Sequence, residues 1–256
     1  MRPRTNPLKA KLKAGKSCIG VVCPGYWPEL VEICGYIEYD YVQIDLEHGA
    51  MSTSQAAELV RAAEAGGITP VGRVPTNAAH HIMRFLDMGM QGVVVPHIQS
   101  KADAEAVVHA AYYYPYGDRG LGGTRGSGYG ALYNIQEWVT YTNNETLFVA
   151  IMEDKEGLAN LDEILTVPQI DVVAIGHTDL SNSLGVPGDI YGPVITEAMR
   201  VAVDKIKRSH AALGLGATNG AVARKRIDEQ GGQWIIVQLS QLLINGAKEL
   251  LAGAGR

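Results

Sequence analysis

Eight short runs of apolar, largely β-branched residues recur along this chain, with segments of helical period between most of them. Few folds accept that rhythm. The runs span residues 19–23, 41–46, 69–74, 92–97, 147–152, 172–176, 213–217 and 234–237. Each is near-continuous in apolar residues, as strands covered on both faces require. Helices are predicted over 52–65, 78–88, 101–114, 158–165, 196–212, 221–230 and 239–251. A Ser/Thr cap opens the first of these and Gly66-Gly67 closes it. Met199, Val203 and Ile206 form one stripe of the fifth. With no break in composition over 256 residues, the pattern predicts an α/β chain folded as a single (β/α)8 barrel domain, residues 1–256. A doubly wound open sheet is the other arrangement. Its dinucleotide-binding form is disfavoured, because no G-x-G-x-x-G opens a helix after the first strand.

The net charge of −5 gives no electrostatic pull toward nucleic acid or an anionic membrane. No stretch approaches the roughly 18 apolar residues of a membrane span. Arg2, Arg4, Lys9, Lys11, Lys13 and Lys16 cluster at the start with no apolar run after them, so this segment reads as a solvated arm or short helix rather than a secretory signal. Cys18, Cys23 and Cys34 are an odd set without metal-finger spacing, which predicts reduced thiols and a cytoplasmic protein. Residues 112–145 interrupt the rhythm with YYYPYGDRGLGGTRGSGYG. A structureless loop of this length is functional or disordered as a rule. A subunit contact and a place at the active-site mouth are both open for it.

A barrel carries its chemistry at the C-terminal ends of its strands and in the loops that follow. Those positions hold Asp45-Leu46-Glu47-His48, Arg73, Glu153-Asp154 and His177-Thr178-Asp179. Glu153 and Asp179 offer hard oxygen ligands suited to Mg²⁺ or Mn²⁺. Such an ion would leave open positions for a 2-oxo acid and act on it as a Lewis acid. Arg73 can place donors on a developing oxyanion. His48 titrates in the range a general base needs. Thr178-Asp179-Leu180-Ser181 has the look of a helix N-terminus, whose free amides favour a carboxylate. Each residue also has a structural reading: Arg73 as the neutralising partner of Asp45 or Glu47, Asp179 as an N-cap, Glu-His as a surface pair. No strand ends in a lysine that could form a Schiff base, Lys155 being the nearest, which disfavours a class I aldolase mechanism.

The segments YVQIDLEHG, GRVP, LDMGMQGVVVPHIQS, YYPYGDRG, IMED with NLDEIL, and IGHTDLSNSLG resemble the HpcH/HpaI aldolase family across nearly the whole chain. The resemblance implies a class II aldolase that cleaves or forms 4-hydroxy-2-oxo acids, giving pyruvate or hydroxypyruvate and an aldehyde through a metal-stabilised enolate. It implies His48 as the base, Arg73 as the enolate-stabilising group and Glu153 with Asp179 as ligands of a divalent metal, Mg²⁺ or Mn²⁺ ahead of Co²⁺ or Zn²⁺. Thr178 and Asp179 would bind the substrate carboxylate through their backbone amides. Asp87 would orient His48. Asp87 precedes the fourth strand, however, so it would act from a neighbouring subunit, or Asp45 would serve instead. Two positions depart from the family pattern: Ile151 stands where a glutamine is common, and His177 where a proline is usual. Each is either barrel packing or a change in substrate preference. The resemblance also implies a homo-oligomer, a hexamer built as a trimer of dimers with the last helix exchanged between partners. Oxaloacetate decarboxylation, CoA-thioester cleavage and 2-oxo-acid binding without catalysis are the rival functions.

Overall fold

Eight parallel strands pair in chain order and close on themselves. They are β1 (Cys18–Cys23), β2 (Tyr41–Asp45), β3 (Thr69–Arg73), β4 (Gly92–Val95), β5 (Leu147–Met152), β6 (Val172–Ile175), β7 (Ala212–Gly216) and β8 (Trp234–Gln238). The computed structural model describes residues 5–256, so Arg2 and Arg4 of the basic cluster lie outside the described residues. Closure comes from β1 and β8, paired from Cys18↔Trp234 to Val22↔Gln238, and it excludes the open sheet. The helices are α1 (Pro7–Lys13), α2 (Pro28–Tyr36), α3 (Thr53–Gly66), α4 (Ala79–Asp87), α5 (Lys101–Ala111), α6 (Ile135–Glu145), α7 (Lys155–Ala159), α8 (Leu161–Ile164), α9 (His177–Ser183), α10 (Pro193–Lys207), α11 (Gly220–Asp228) and α12 (Leu239–Gly253).

Local chemistry sets several boundaries. Ser52 and Gln55 form a reciprocal capping box on α3, and Gly67 ends that helix in the left-handed region at φ 75°. Proline opens α1, α2 and α10. Helix α2 has no counterpart in the sequence pattern, because it buries only Val31 and Cys34 and so has almost no apolar stripe. The single helix expected at 158–165 is two, α7 and α8, with a break at Asn160. The helix expected to reach 114 ends earlier: Tyr112 is extended and α5 stops at Ala111.

Each strand divides its residues between two cores. Val21, Val42, Ile44, Val93, Phe148 and Ile235 face outward and pack under the helices. Cys18, Tyr41, Val71, Val94, Leu147, Val149, Ile151, Val172, Ala212 and Trp234 fill the barrel interior. Tyr41 stacks on Trp234 with ring centroids 3.8 Å apart. A Cβ on Gly20 would fall 2.4 Å from the Tyr41 ring, so the interior accepts that aromatic pair only because β1 gives up a side chain there.

The N-terminal end of the barrel is plugged by α1, whose Leu8 and Leu12 join the interior cluster. Of the two expectations for this segment, the short helix forms, but it is packed against the barrel rather than solvated. Lys9 is buried, with Nζ 3.0 Å from Asp171 Oδ2 and 2.5 Å from the Thr146 carbonyl. Burial pushes the Lys9 pKa down and the Asp171 pKa up, and each partner's charge works against the other's shift.

The 112–145 segment is not structureless. It contains α6, buries Tyr112, Tyr113 and Trp138, and bonds Tyr112 Oη to the Thr146 carbonyl at 3.1 Å. With Met90, Gln91 and Thr146, at the N-terminal ends of β4 and β5, it encloses a cavity of about 490 Å³. Within one chain it therefore lies at the end of the barrel opposite the mouth. Replacing Lys9 by Met should lower the unfolding free energy by about 3 kcal/mol, because it leaves Asp171 buried without its counter-charge. Urea denaturation checks this, with an unchanged far-ultraviolet circular dichroism spectrum as the control for fold.

Candidate active site

The inward face of the strands is apolar through the barrel and changes character at the C-terminal ends. Along β2 the inward positions run Tyr41, Gln43, Asp45; along β3, Val71 and Arg73; along β5, Val149, Ile151 and then Glu153 just past the strand. Period-two alternation thus carries the interior face straight into a set of charged groups. They open on a cavity of about 760 Å³, whose lining includes His48, Arg73, Glu153, His177, Thr178 and Asp179.

Arg73 organises one wall. Its Nε donates to Asp45 Oδ1 at 2.9 Å and its Nη2 to Asp45 Oδ2 at 2.6 Å, a bidentate pair. Its Nη1 stands 3.0 Å from Glu47 Oε2. Burial opposes the guanidinium charge, but Asp45, Glu47 and Glu153 outweigh it and hold the Arg73 pKa above its ordinary value. Arg73 thus does neutralise Asp45 and Glu47. Its remaining N–H groups stay available to the cavity it lines. Asp45 also accepts the backbone N–H of Glu47 at 3.0 Å and of His48 at 3.3 Å. It shapes the loop that carries His48, while its carboxylate is committed to Arg73.

Glu153 is 3% exposed and accepts the His97 backbone N–H at 2.9 Å. His97 Nδ1 lies 3.3 Å from Glu153 Oε1, and His97 Nε2 lies 3.5 Å from Glu47 Oε1. His97 holds this position with φ at 54°, a left-handed conformation uncommon outside glycine. A Cβ on Gly176 would sit 2.8 Å from Glu153 Oε2, so the glycine leaves that carboxylate its place. Desolvation pushes the Glu153 pKa up to about 7; the His97 N–H and ring work against this, and Glu47 and Asp179 add to it.

Glu47, His97 and Glu153 present ligand atoms within 4.8 Å of one another. Glu47 Oε2 is buried and accepts no well-directed hydrogen bond among the described residues. A buried carboxylate with an unused lone pair, a second carboxylate destabilised by burial and an imidazole between them fit a divalent cation. The expected ligand pair was Glu153 with Asp179. Asp179 is exposed in the first turn of α9, on the same cavity, and its charge bears on Glu153, but it is not in the close group. Glu47 stood in the run already singled out, whereas His97 was read as the last residue of a strand. The signal available for it was its place at a strand end, after Pro96, where a backbone turns out of the sheet.

Thr178 and Asp179 occupy the first turn of α9, whose leading N–H groups have no intrahelical acceptor. Ile151 packs in the barrel interior and also lines the cavity. His177 lines the cavity against Gly216, and burial, then the nearby Arg226 charge, push its pKa below the ordinary value. Asp154 caps α7 through the Gly157 N–H at 2.7 Å. Asp87 ends α4 and pairs with the buried Arg119 at 2.7 Å, so one chain does not bring it to His48.

Residues 19–228 match the family model described as HpcH/HpaI aldolase/citrate lyase. The chain is 32% identical to a hydroxypyruvate/pyruvate aldolase of Sagittula stellata, over 94% of each. It is 30% identical to a 2-keto-3-deoxy-L-rhamnonate aldolase of Escherichia coli, over 95% of this chain and 90% of that protein. Its fold superposes on an HpcH/HpaI aldolase/citrate lyase family protein from Burkholderia cenocepacia with a TM-score of 0.91 at 26% identity, covering 98% of this chain and all of that one.

Two outcomes follow from the Glu153 environment. A Gly176→Ala Cβ would displace the carboxylate and should weaken Mn²⁺ binding by about tenfold or more, as lost support of a ligand does; titration calorimetry measures it. In cation-free protein, a carboxyl raised from 4.5 to about 7 on folding contributes stability that is full below 4.5 and lost as pH rises through 7. The melting temperature should therefore fall by a few degrees across that window, and Glu153→Gln should flatten the slope in differential scanning fluorimetry.

Proposed function

The chain belongs to the HpcH/HpaI aldolase/citrate lyase family, and from that premise we propose that it is a divalent-metal-dependent class II aldolase. It cleaves or forms 4-hydroxy-2-oxo acids, with pyruvate or hydroxypyruvate as the enolisable partner and an aldehyde as the other. The observation that carries this reading is that His48, Arg73 and the buried Glu153 line one cavity, with Glu153 in a close group with Glu47 and His97 whose ligand atoms lie within 4.8 Å of one another. The names of the relatives from Sagittula stellata and Escherichia coli support it.

Glu153 and Glu47, with His97 or Asp179, would hold the ion, of which Mg²⁺ and Mn²⁺ best suit the carboxylates. When bound, it supplies Lewis acidity toward the 2-oxo acid. The chain's own groups do the rest. The first-turn amides of Thr178 and Asp179 take the substrate carboxylate. The N–H groups of Arg73 that Asp45 and Glu47 leave unused steady charge on the ketone oxygen as it becomes an enolate. His48, exposed at the rim, receives the C4 hydroxyl proton and returns it to solvent. The electrons of the C3–C4 bond pass into the enolate, the aldehyde leaves, and C3 takes up a proton. Asp87, held by Arg119 within its own chain, orients His48 from a neighbouring subunit. An assembly is supported by α12, which buries none of its residues and exposes Leu243, Ile244, Leu250 and Leu251. It suits a hexamer, a trimer of dimers with α12 exchanged between partners, working in the cytoplasm.

Exchange of pyruvate methyl protons for deuterium, followed by NMR, tests the enolising half without an aldehyde. Exchange that appears with Mn²⁺ and disappears on chelation is the expected result; its absence in folded, metal-loaded protein would overturn the reading. His48→Ala should lower aldol cleavage by about 10²–10⁴-fold, the usual worth of a positioned base, and near-wild-type cleavage would remove His48 from the role.

A further inference from the structure

The same cavity has a second wall that the proposed reaction does not use. Beyond His177 it is lined by Thr218, Tyr191, Lys225, Arg226 and Gln230. Arg226 is half-buried on α11. Its Nη1 donates to the neutral amide oxygen of Gln230 at 2.7 Å. Its Nε is buried and has no hydrogen-bond partner among the described residues. The acid of the same helix, Asp228, is taken by Arg224 at 3.1 Å. Neither Lys225 nor Arg226 forms an ion pair with any carboxylate among the described residues. Arg226 is thus a cavity-lining guanidinium without a counter-charge, an arrangement that costs free energy unless an anion completes it. Burial lowers its pKa accordingly.

Glu153, Asp179, Lys225 and Arg226 line the same cavity, and the two cations have no ion-pair partner among the described residues. A 2-oxo acid held through a cation at Glu153 leaves the rest of its chain in the space that Lys225 and Arg226 also line. Resting on the aldolase reading, we propose that Arg226, assisted by Lys225, binds a second anionic group carried by the aldehyde portion of the substrate, a carboxylate or a phosphate. In the forming direction, the pyruvate methyl carbon loses one proton and bonds to the aldehyde carbon, whose oxygen gains one. The distal anion takes no part in the bond changes and only fixes the acceptor. A guanidinium recognises either anion with paired N–H donors, whereas an uncharged aldehyde leaves Arg226 unsatisfied.

The test uses the full chain loaded with Mn²⁺ and pyruvate, with aldehydes matched in carbon number. Butanal is compared with 4-oxobutanoate, and glyceraldehyde with glyceraldehyde 3-phosphate. At least one anionic aldehyde should exceed its neutral partner in kcat/KM by about tenfold or more, the worth of a charge-assisted hydrogen bond. Which pair shows the excess tells carboxylate from phosphate. Arg226→Gln should bring that ratio close to unity, mainly through KM, and Arg226→Lys should keep most of it. Ratios near unity for both pairs in the wild-type protein overturn the inference without recourse to any variant, as does an undiminished ratio in Arg226→Gln. Deuterium exchange into pyruvate separates the two levels: exchange without anion preference removes only this inference, while no exchange removes the aldolase reading as well.

Discussion

In a closed parallel barrel every second residue of a strand must face the interior, and the ladder that closes the ring fixes which ones. The site depends on that constraint. The register that puts Tyr41, Val71 and Val149 into the packed interior also turns Asp45, Arg73 and Glu153 into the mouth, two or four residues further on. Apolar side chains at the lower levels fill the ring, so the charged upper level has an apolar floor. The desolvation that raises the Glu153 pKa to about 7 follows from this placement as well as from Glu153's own neighbours.

Charge balance then decides what the mouth can do. Arg73 serves two carboxylates, yet Asp45, Glu47, Glu153 and Asp179 together outnumber it, with the His97 ring between Glu47 and Glu153. An excess of carboxylate costs free energy where it is buried without a cation, and Glu47, His97 and Glu153 present ligand atoms close enough together to suit one. The same cavity is also lined by Lys225 and Arg226, cations without an ion-pair partner among the described residues, so its lining carries unbalanced charge of both signs.

The two ends of the barrel differ. At the N-terminal end α1 brings Leu8 and Leu12 under the interior layer, with Lys9 pinned to Asp171 and Thr146. The segment from 112 to 145 packs beside it and holds Asp87 through Arg119. The C-terminal end stays open to solvent. This division, a rigid base and an accessible rim, lets loops carry chemistry without destabilising the ring that positions them.

The eight strands were legible because burial on both faces demands near-continuous apolar runs, and their bounds moved by only one or two residues. His48, Arg73, Glu153, Thr178 and Asp179 were legible because strand ends point to one mouth, and the structure does open all five on one cavity. Three things were not legible. The short α2 lacks a periodic stripe. The burial of Lys9 arises from an acid 162 residues away. His97 meets Glu47 and Glu153 from a left-handed backbone, and Arg226 lines the cavity from a helix, and strand periodicity describes neither. Local pattern determined the number, kind and order of the elements, since burial imposes its period along the chain. The tertiary structure alone decided which charges meet and which are left unpaired, because those depend on distances between segments that the sequence holds far apart.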